Sequence, residues 1–378
     1  MISRCLAGVT PARPGFEKIH IAPDPAGLGT FNAKVPTAKG PVTVRYARTD
    51  VGEHLVVTTP APATIIFCGE TREVAAGTHT LVTSASAIGG MPLENEDKAY
   101  GDLQGRIVER IRLWPGLAPH ETESSPGRFA YDEKKLVWRR RDISQPELVI
   151  LRPEGKPIDT MVVVIPGGGY QSQQMGHVCR DARPILDSGR WVAVLHYRIP
   201  RREGRKIYDA PREDAARAIR FLRANAERLG FSPEKIGAVG FSAGAHLAAI
   251  SAVSSQDALY DRVDDLDDIS AHLNFAVPVY PAYVADDGAT GFNVHGGDGA
   301  VILPEFKFDA KTPPMFMLHG DKDQYSPMAS VLLYAELHKR KIPAQLFVYA
   351  NVSHGLGDTP NVKGWQSRIV DWMESIGF

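Results

Sequence analysis

Apolar and polar residues alternate in short pulses over the first part of the chain and then change rhythm. From about Pro14 to Val82 the pulses are Lys18–Ala22, Val42–Tyr46, His54–Thr58, Thr64–Cys68 and His79–Val82. Each has the length of a strand, is rich in β-branched residues and is bounded by Gly, Pro or Asp, the signature of antiparallel sheet. No helical period of useful length appears among them, so residues 1–90 are expected to form a β-sandwich accessory domain. Residues 83–105 hold Ser, Ala, Gly and the charged run Glu94–Lys98 with little to bury, which places a solvated linker over 91–105.

Beyond it, Arg110–Pro119 and Leu148–Pro153 read as a leading segment and an early strand, and then strands alternate with helices. Met161–Ile165 and Trp191–Leu195 are continuously apolar, as expected for strands covered on both faces. Ala215, Ile219, Leu222, Ala226 and Leu229 recur at three- and four-residue spacing behind Pro211, which predicts an amphipathic helix over Pro211–Leu229. Phe275–Tyr280, Met315–Leu318 and Gln345–Tyr349 add strands, and Trp365, Ile369, Trp372 and Ile376 mark a closing helix. This βαβ alternation predicts an α/β domain over 106–378, built on a mostly parallel, twisted sheet covered by helices.

Composition narrows the classes of function. At 378 residues the chain exceeds what one core usually serves, in keeping with two domains. Hydrophobic residues are 43% and charged residues 23%, with no run of 18 apolar residues to span a membrane as a helix. A formal net charge of −1 offers no long-range attraction to nucleic acid or to an anionic membrane. Cys5, Cys68 and Cys179 are too few and too scattered for a disulfide framework or a zinc site, and read as buried free thiols. The first residues lead into Pro and Gly rather than an apolar segment, so the chain as given reads as cytoplasmic, or periplasmic or secreted if a leader was removed.

The candidate chemistry centres on Lys235–Leu247, a short apolar strand running into a turn and an Ala-rich helix with Ser242 at the tip. Gly240 and Gly244 flank Ser242 in G-x-S-x-G, where a sharp elbow leaves no room for Cβ atoms and lifts the hydroxyl above the sheet. Pro166–Tyr170 carries three consecutive glycines after the strand Met161–Ile165. Gly168 and Gly169, with the Ala243 amide, are the expected oxyanion hole. A phosphate loop is the rival reading, but no Lys-Ser/Thr pair follows the glycines. His354, just past the strand Gln345–Tyr349, suits a general base. In hydrolases built on such an elbow the acid lies between serine and histidine in the chain, and two aspartates compete directly after Met315–Leu318. Asp323, further around the turn, is favoured, and Asp321 is expected to cap or brace the loop. His196, His246 and His319 are expected to make structural hydrogen bonds. Arg198, Arg201, Arg202, Arg205 and Lys206 form a basic run that reads as solvated, with a uronic-acid contact as the functional alternative. Tyr283–Lys311 reads as an insertion near the site mouth.

Two resemblances follow from these residues. Ala7–Pro11, Pro14–Ile19, Ala22–Pro23, Gly40–Val44 and Ala76–His79 resemble the β-domain that closes family 78 α-L-rhamnosidases. In those glycosidases the carboxylates precede this domain, so the resemblance implies association with rhamnose-containing glycans rather than rhamnosidase activity. Leu113–Pro115, Ile165–Tyr170, His196–Arg198, Asp214–Arg220, Gly240–Gly244 and Thr312–Pro314 resemble the α/β-hydrolase carbohydrate esterases related to acetylxylan esterases and rumen feruloyl esterases. Two positions depart from that family: Ala245 stands where another glycine is usual, and Gln171–His177 follow the oxyanion loop where relatives tend to place an acidic residue.

The resemblance implies a serine esterase with Ser242 as nucleophile, His354 as base and Asp323 as acid, needing no metal or organic cofactor. O-acetyl groups on plant or algal polysaccharides are the expected substrate. Feruloyl ester cleavage and an inactive glycan-binding protein are the alternatives. A homo-oligomer formed through the N-terminal domain is a further expectation.

Overall fold

The computed structural model describes residues 6–24, 28, 30–49, 52–67, 70–82, 92–286, 300–357 and 359–378. Cys5 and Cys68, and much of the expected 283–311 insertion, lie outside the described residues. The chain divides into two compact units, Met1–Gly89 with Trp114–Gly116, and Gly90–Leu113 with Leu117–Phe378.

In the first unit the described strands form two four-stranded sheets. One holds Val9–Pro11, Ile19–Ile21, Ala63–Phe67 and Glu70–Val74; the other holds Thr30–Val35, Val42–Thr49, Gly52–Thr59 and Gly77–Val82. Period-two alternation buries Ile19, Ile21, Val42, Val44, Leu55, Val57 and Ile65 in a common core, giving the all-β sandwich. The first sheet is not wholly antiparallel as the pulses predict, because Ile19–Ile21 pairs in parallel with Ala63–Phe67.

The second unit is built on an eight-stranded sheet. Its strands are β1 (Ile107–Arg112), β2 (Glu147–Leu151), β3 (Met161–Ile165), β4 (Trp191–His196), β5 (Ile236–Phe241), β6 (Phe275–Val279), β7 (Met315–Gly320) and β8 (Ala344–Tyr349), in the order β1-β2-β4-β3-β5-β6-β7-β8. The β1–β2 and β2–β4 pairs are antiparallel and all the others parallel. Every residue of β2 to β7 is buried, which is why those runs are apolar without alternation. The principal helices are α1 (Asp209–Ala224), α2 (Ala243–Val253), α3 (Met328–Lys339) and α4 (Trp365–Ser375). Helix α1 starts two residues ahead of Pro211, whose missing N–H costs nothing in a first turn, and it ends before Asn225 at φ −108°, ψ 11°. A separate turn, Ala226–Leu229, follows.

The expected linker at 91–105 is, from Pro92 onward, instead an ordered part of the second unit that contributes to its core. Glu96–Tyr100 is helical, followed by a 3₁₀ turn at Gly101–Arg106. Glu96 is buried because Arg110 pairs with it at 2.6 Å and its other oxygen accepts the Leu93 N–H at 2.8 Å, so a residue that reads as solvated is neutralised inside. Ala99, Tyr100 and Leu103 join the main hydrophobic cluster. The Tyr100 hydroxyl meets His196 Nε2 at 2.8 Å, and His196 Nδ1 meets Gln173 Oε1 at 2.7 Å. A hairpin that the pattern does not reveal, Arg128–Asp132 with Val137–Arg141, pairs with Gln173–Gln174 and holds the segment that follows the glycine loop.

A functional boundary therefore lies ahead of Pro92 rather than at Gly105. A chain begun at Pro92 is predicted to unfold in urea with a single transition. One begun at Gly105 loses the buried side chains of Glu96, Ala99, Leu103 and Tyr100, the last being the partner of His196, and is predicted to be less stable by at least about 3 kcal/mol. Equal stability of the two truncated chains in equilibrium unfolding contradicts this assignment.

Candidate active site

The turn from β5 into α2 places Ser242 at φ 55°, ψ −117°, a region that L-residues enter only under constraint. A Cβ on Gly240 would stand 2.1 Å from the Gly244 carbonyl oxygen, and one on Gly244 the same distance from that of Ile165. The elbow thus exists only because both positions lack a side chain. The Ser242 N–H donates to the Val279 carbonyl at the end of β6 (3.1 Å), and its own carbonyl accepts from Ala245 and His246 in α2.

His354 follows β8, and Asp323 follows β7, the neighbouring strand. The two loops are joined by backbone: Asp321 N–H donates to Tyr349 O, Lys322 N–H to Val352 O, and Val352 N–H to Asp321 Oδ1. Gly320 permits this approach, since its Cβ would lie 2.2 Å from Val352 O. Asp321 therefore braces the loop, as expected of it, while Asp323 turns inward. His354 Nδ1 lies 2.7 Å from Asp323 Oδ2 and 3.0 Å from Oδ1, and His354 Nε2 lies 2.8 Å from Ser242 Oγ. Nδ1–H donating to the carboxylate leaves Nε2 as the acceptor of the serine proton.

The Asp323 side chain is fully buried yet held as a carboxylate. Burial alone pushes its pKa up, but hydrogen bonds from His319, His354 and the Tyr325 N–H outweigh it and bring it to about 2. His319 is thus more than structural filler. Its Nε2 lies 2.8 Å from Tyr325 O and 3.3 Å from Asp323 Oδ2, while Nδ1 meets Ser330 Oγ at 2.9 Å.

The glycine loop packs against the elbow: a Cβ on Gly167 would come 2.9 Å from Ser242 Cβ. Gly168 sits at φ 145°, with Ser172 O only 2.0 Å from where a Cβ would stand, so no other residue fits there. The Gly167 N–H donates to His177 Nδ1 at 3.0 Å. The N–H groups of Gly168, Gly169 and Ala243, the residues expected to form an oxyanion hole, donate to nothing among the described residues. His177 is buried and stacked on Phe241 at 4.9 Å, and burial, helped by Arg180 and His354, drives its pKa down to about 3, so it stays a neutral acceptor. It occupies the stretch where an acid was expected of relatives. Its role was not legible, because it depends on a contact back to Gly167 that spacing does not show.

The remaining histidines divide by surroundings. His246 Nδ1 meets Tyr170 OH at 2.7 Å and the ring packs on Tyr208 and Phe306; burial first, then Arg212, lowers its pKa to about 3. His196 bonds Tyr100 and Gln173 as described, and both rings are structural, as expected. Ala245, the second departure from the family pattern, is fully buried. Tyr280 and Tyr325 stand edge-on to the His354 ring at 5.0 and 4.8 Å, and Tyr283 is edge-on to Tyr325 at 5.9 Å. The basic run is not solvated as a whole: Arg198 pairs with Asp214 and Glu213, Arg202 with Glu121, Arg205 with Glu213 and Lys206 with Glu305. Cys179 is half-buried and free, its thiol pushed up to about 12 by burial. Among the described residues no group of His, Cys, Asp and Glu is arranged to hold a metal.

Comparison with known proteins agrees with this fold. Residues 148–284 match the BD-FAE family model, and residues 8–80 match the bacterial alpha-L-rhamnosidase C-terminal domain. Endo-1,4-beta-xylanase B of Butyrivibrio fibrisolvens is 29% identical over 52% of this chain and 32% of its own length. The acetylxylan esterase of Xylanibacter ruminicola is 24% identical over 65% of this chain and 52% of its own. The chain thus spans about half or less of these curated relatives. The crystal structure of an acetyl ester-xyloside bifunctional hydrolase from Caldicellulosiruptor lactoaceticus superposes with a TM-score of 0.55 at 28% identity, covering 71% of this chain and 97% of that one. One stretch of the chain is thus similar to the bacterial alpha-L-rhamnosidase C-terminal domain, and a later one, within the α/β-hydrolase fold, is similar to the BD-FAE esterases.

Proposed function

We propose that the protein is a serine carboxylesterase that removes O-acetyl or similarly short acyl groups from plant or algal polysaccharides or their fragments. The observation that carries this reading is the continuous relay from Ser242 Oγ through His354 to Asp323, at 2.8 and 2.7 Å. Ser242 Oγ attacks the ester carbonyl while His354 Nε2 takes its proton, and the Asp323 carboxylate holds the imidazole tautomer and stabilises the imidazolium. The unspent N–H groups of Gly168, Gly169 and Ala243 receive the negative charge that develops on the carbonyl oxygen. His354 then returns the proton to the departing sugar oxygen, and water, deprotonated by the same imidazole, releases the acid and restores Ser242.

Two observations favour a sugar ester with a short acyl group. Tyr325, partly exposed, stands edge-on to the His354 ring with Tyr283 edge-on to it in turn, and aromatic rings that carry hydroxyls suit a sugar face more than a long alkyl chain. The acetylxylan esterase relative and the acetyl ester-xyloside hydrolase structure point the same way. Turnover of p-nitrophenyl acetate tests the chemistry. Acetate and ferulate release across acetylated xylan, mannan and rhamnogalacturonan and feruloylated arabinoxylan tests the substrate. Absence of both turnover and release from folded protein overturns the reading, and ferulate release in preference to acetate redirects it to feruloyl esters.

Ser242→Ala is expected to fold normally and to lose on the order of 10⁶ in kcat, by analogy with other serine hydrolases. More than a few per cent of residual turnover in purified variant rules out this nucleophile.

Asp323→Asn is expected to lower kcat by about 10³ to 10⁴, since an amide favours the wrong imidazole tautomer. Asp321→Asn, which touches only a backbone N–H, is expected to cost far less, and a reversed ranking reassigns the acid. Stability supplies a second readout. Because the folded Asp323 pKa, about 2, lies below its ordinary 3.8, its contribution is complete above about pH 4 and is lost as pH falls toward 2. The stability gap between wild type and Asp323→Asn should therefore be about 2 kcal/mol larger at pH 5 than at pH 2. A gap that does not change across this window in urea titrations contradicts the assigned hydrogen bonds.

A further inference from the structure

Four of the five cations in the 198–206 loop are neutralised by named carboxylates, and Arg201 is the exception. It is exposed, and among the described residues its guanidinium pairs with no carboxylate. Its Nη2 and Nε donate instead to the carbonyl of Gly169, at 3.2 and 3.4 Å, the residue whose N–H is one of the oxyanion donors. The Tyr283 hydroxyl is hydrogen-bonded to both Arg201 and Tyr325, and Tyr325 in turn stands edge-on to His354. A positive charge with unspent N–H donors is thus tied by two short chains of contact to the oxyanion loop and to the catalytic imidazole.

We propose that Arg201 recognises a carboxylate carried by the ester substrate close to the scissile bond. The inference rests on the esterase reading of the site and deepens it. Two long N–H···O contacts to a neutral carbonyl and one contact with the Tyr283 hydroxyl leave the guanidinium with unspent N–H donors and an unpaired charge, and a carboxylate is the group its planar geometry matches best. The loop is rich in cations, yet Arg198, Arg202, Arg205 and Lys206 are committed to internal pairs, so only Arg201 presents charge to a ligand. The carboxylate has two chemical sources. It belongs either to a uronic acid on the alcohol side of the ester or to a dicarboxylic half-ester on the acyl side.

The test measures kcat/KM for two matched pairs: acetylated methyl glucuronoside against acetylated methyl glucoside, and monomethyl succinate against methyl butyrate. The wild type is expected to prefer the acidic member of one pair by about five- to tenfold, which identifies the source. The acidic-to-neutral ratio is expected to fall to about one in Arg201→Gln, to be partly retained in Arg201→Lys, and to shrink in about 0.5 M salt. A wild-type ratio of one or less in both pairs overturns the proposal. So does a ratio that survives in Arg201→Gln, including equal losses on both members, which would make the side chain only a brace for Gly169. If the folded wild type cleaves none of the four esters, the esterase reading fails separately. Calorimetric titration with methyl glucuronoside, methyl glucoside, succinate and butyrate then decides: acid binding that is no tighter than neutral or monoacid binding, or unchanged in Arg201→Gln, refutes the role of Arg201.

Discussion

At Ser242 the backbone is held at φ 55°, ψ −117°, a conformation that costs an L-residue on the order of 1–3 kcal/mol. The surrounding structure over-determines it. Gly240 and Gly244 let the turn close against itself and against Ile165 O, and the Ser242 N–H is tied to β6 while its carbonyl is tied to α2. Relaxing the strain would mean separating β3, β5 and β6 at their C-terminal ends, where every residue is buried. The result is that Ser242 Oγ and the Ala243 N–H are fixed relative to each other before any substrate arrives. The same logic holds at Gly320, where a missing side chain lets the acid loop and the histidine loop share backbone hydrogen bonds.

Around this strained centre the protein spends charge sparingly. The Arg198 guanidinium, fully buried, meets Asp214 and Glu213 and the carbonyls of Pro119 and Ala210, so the desolvation cost of the ion is offset by bonds on every side. That network pins the loop leading to Arg201. Histidines are treated in the opposite way. Burial holds the pKa values of His177, His196 and His246 far below the ordinary range, so each is a fixed neutral hydrogen-bonding group rather than a titrating one. The Gly167–His177 and Tyr170–His246 bonds accordingly keep their donors and acceptors across neutral pH.

Much of this was legible in the chain. Buried parallel strands announce themselves as unbroken apolar runs, and the elbow serine, the glycine loop and the order of serine, acid and histidine are local signals that survive without a structure. Two aspartates separated by one residue are harder. The choice of Asp323 rested on its position around the turn, and only the bonds to His354 and His319 show why it faces inward. Where a residue's meaning depends on a distant partner, the pattern misled or was silent. Glu94–Lys98 reads as solvated because nothing local reveals Arg110 and His196 waiting to pair with Glu96 and Tyr100. The basic run reads as solvated for the same reason, since its partners Glu121, Glu213 and Glu305 lie between eight and 99 residues away. The hairpin at 128–141 is nearly as polar as a loop, and it becomes a strand pair because Arg139 and Arg140 find Asp132 and Glu147.

The glycine loop shows how these constraints converge. The Pro166 carbonyl accepts from Tyr197, that of Gly167 from the Gln174 N–H, that of Gly168 from Gln171 and Ser172, and that of Gly169 from Arg201. The Gly167 N–H is spent on His177. The carbonyls from Pro166 to Gly169 are thus committed and their peptide planes cannot turn, yet the Gly168 and Gly169 N–H groups donate to nothing among the described residues. A donor left without a partner costs about 1–3 kcal/mol if it is also denied water, so such N–H groups favour an acceptor that enters from outside the protein. In the proposed reaction these donors need no reorganisation as the carbonyl oxygen becomes negative. Arg201 completes the set, because its bonds to the Gly169 carbonyl fix the Gly169–Tyr170 peptide that closes the loop.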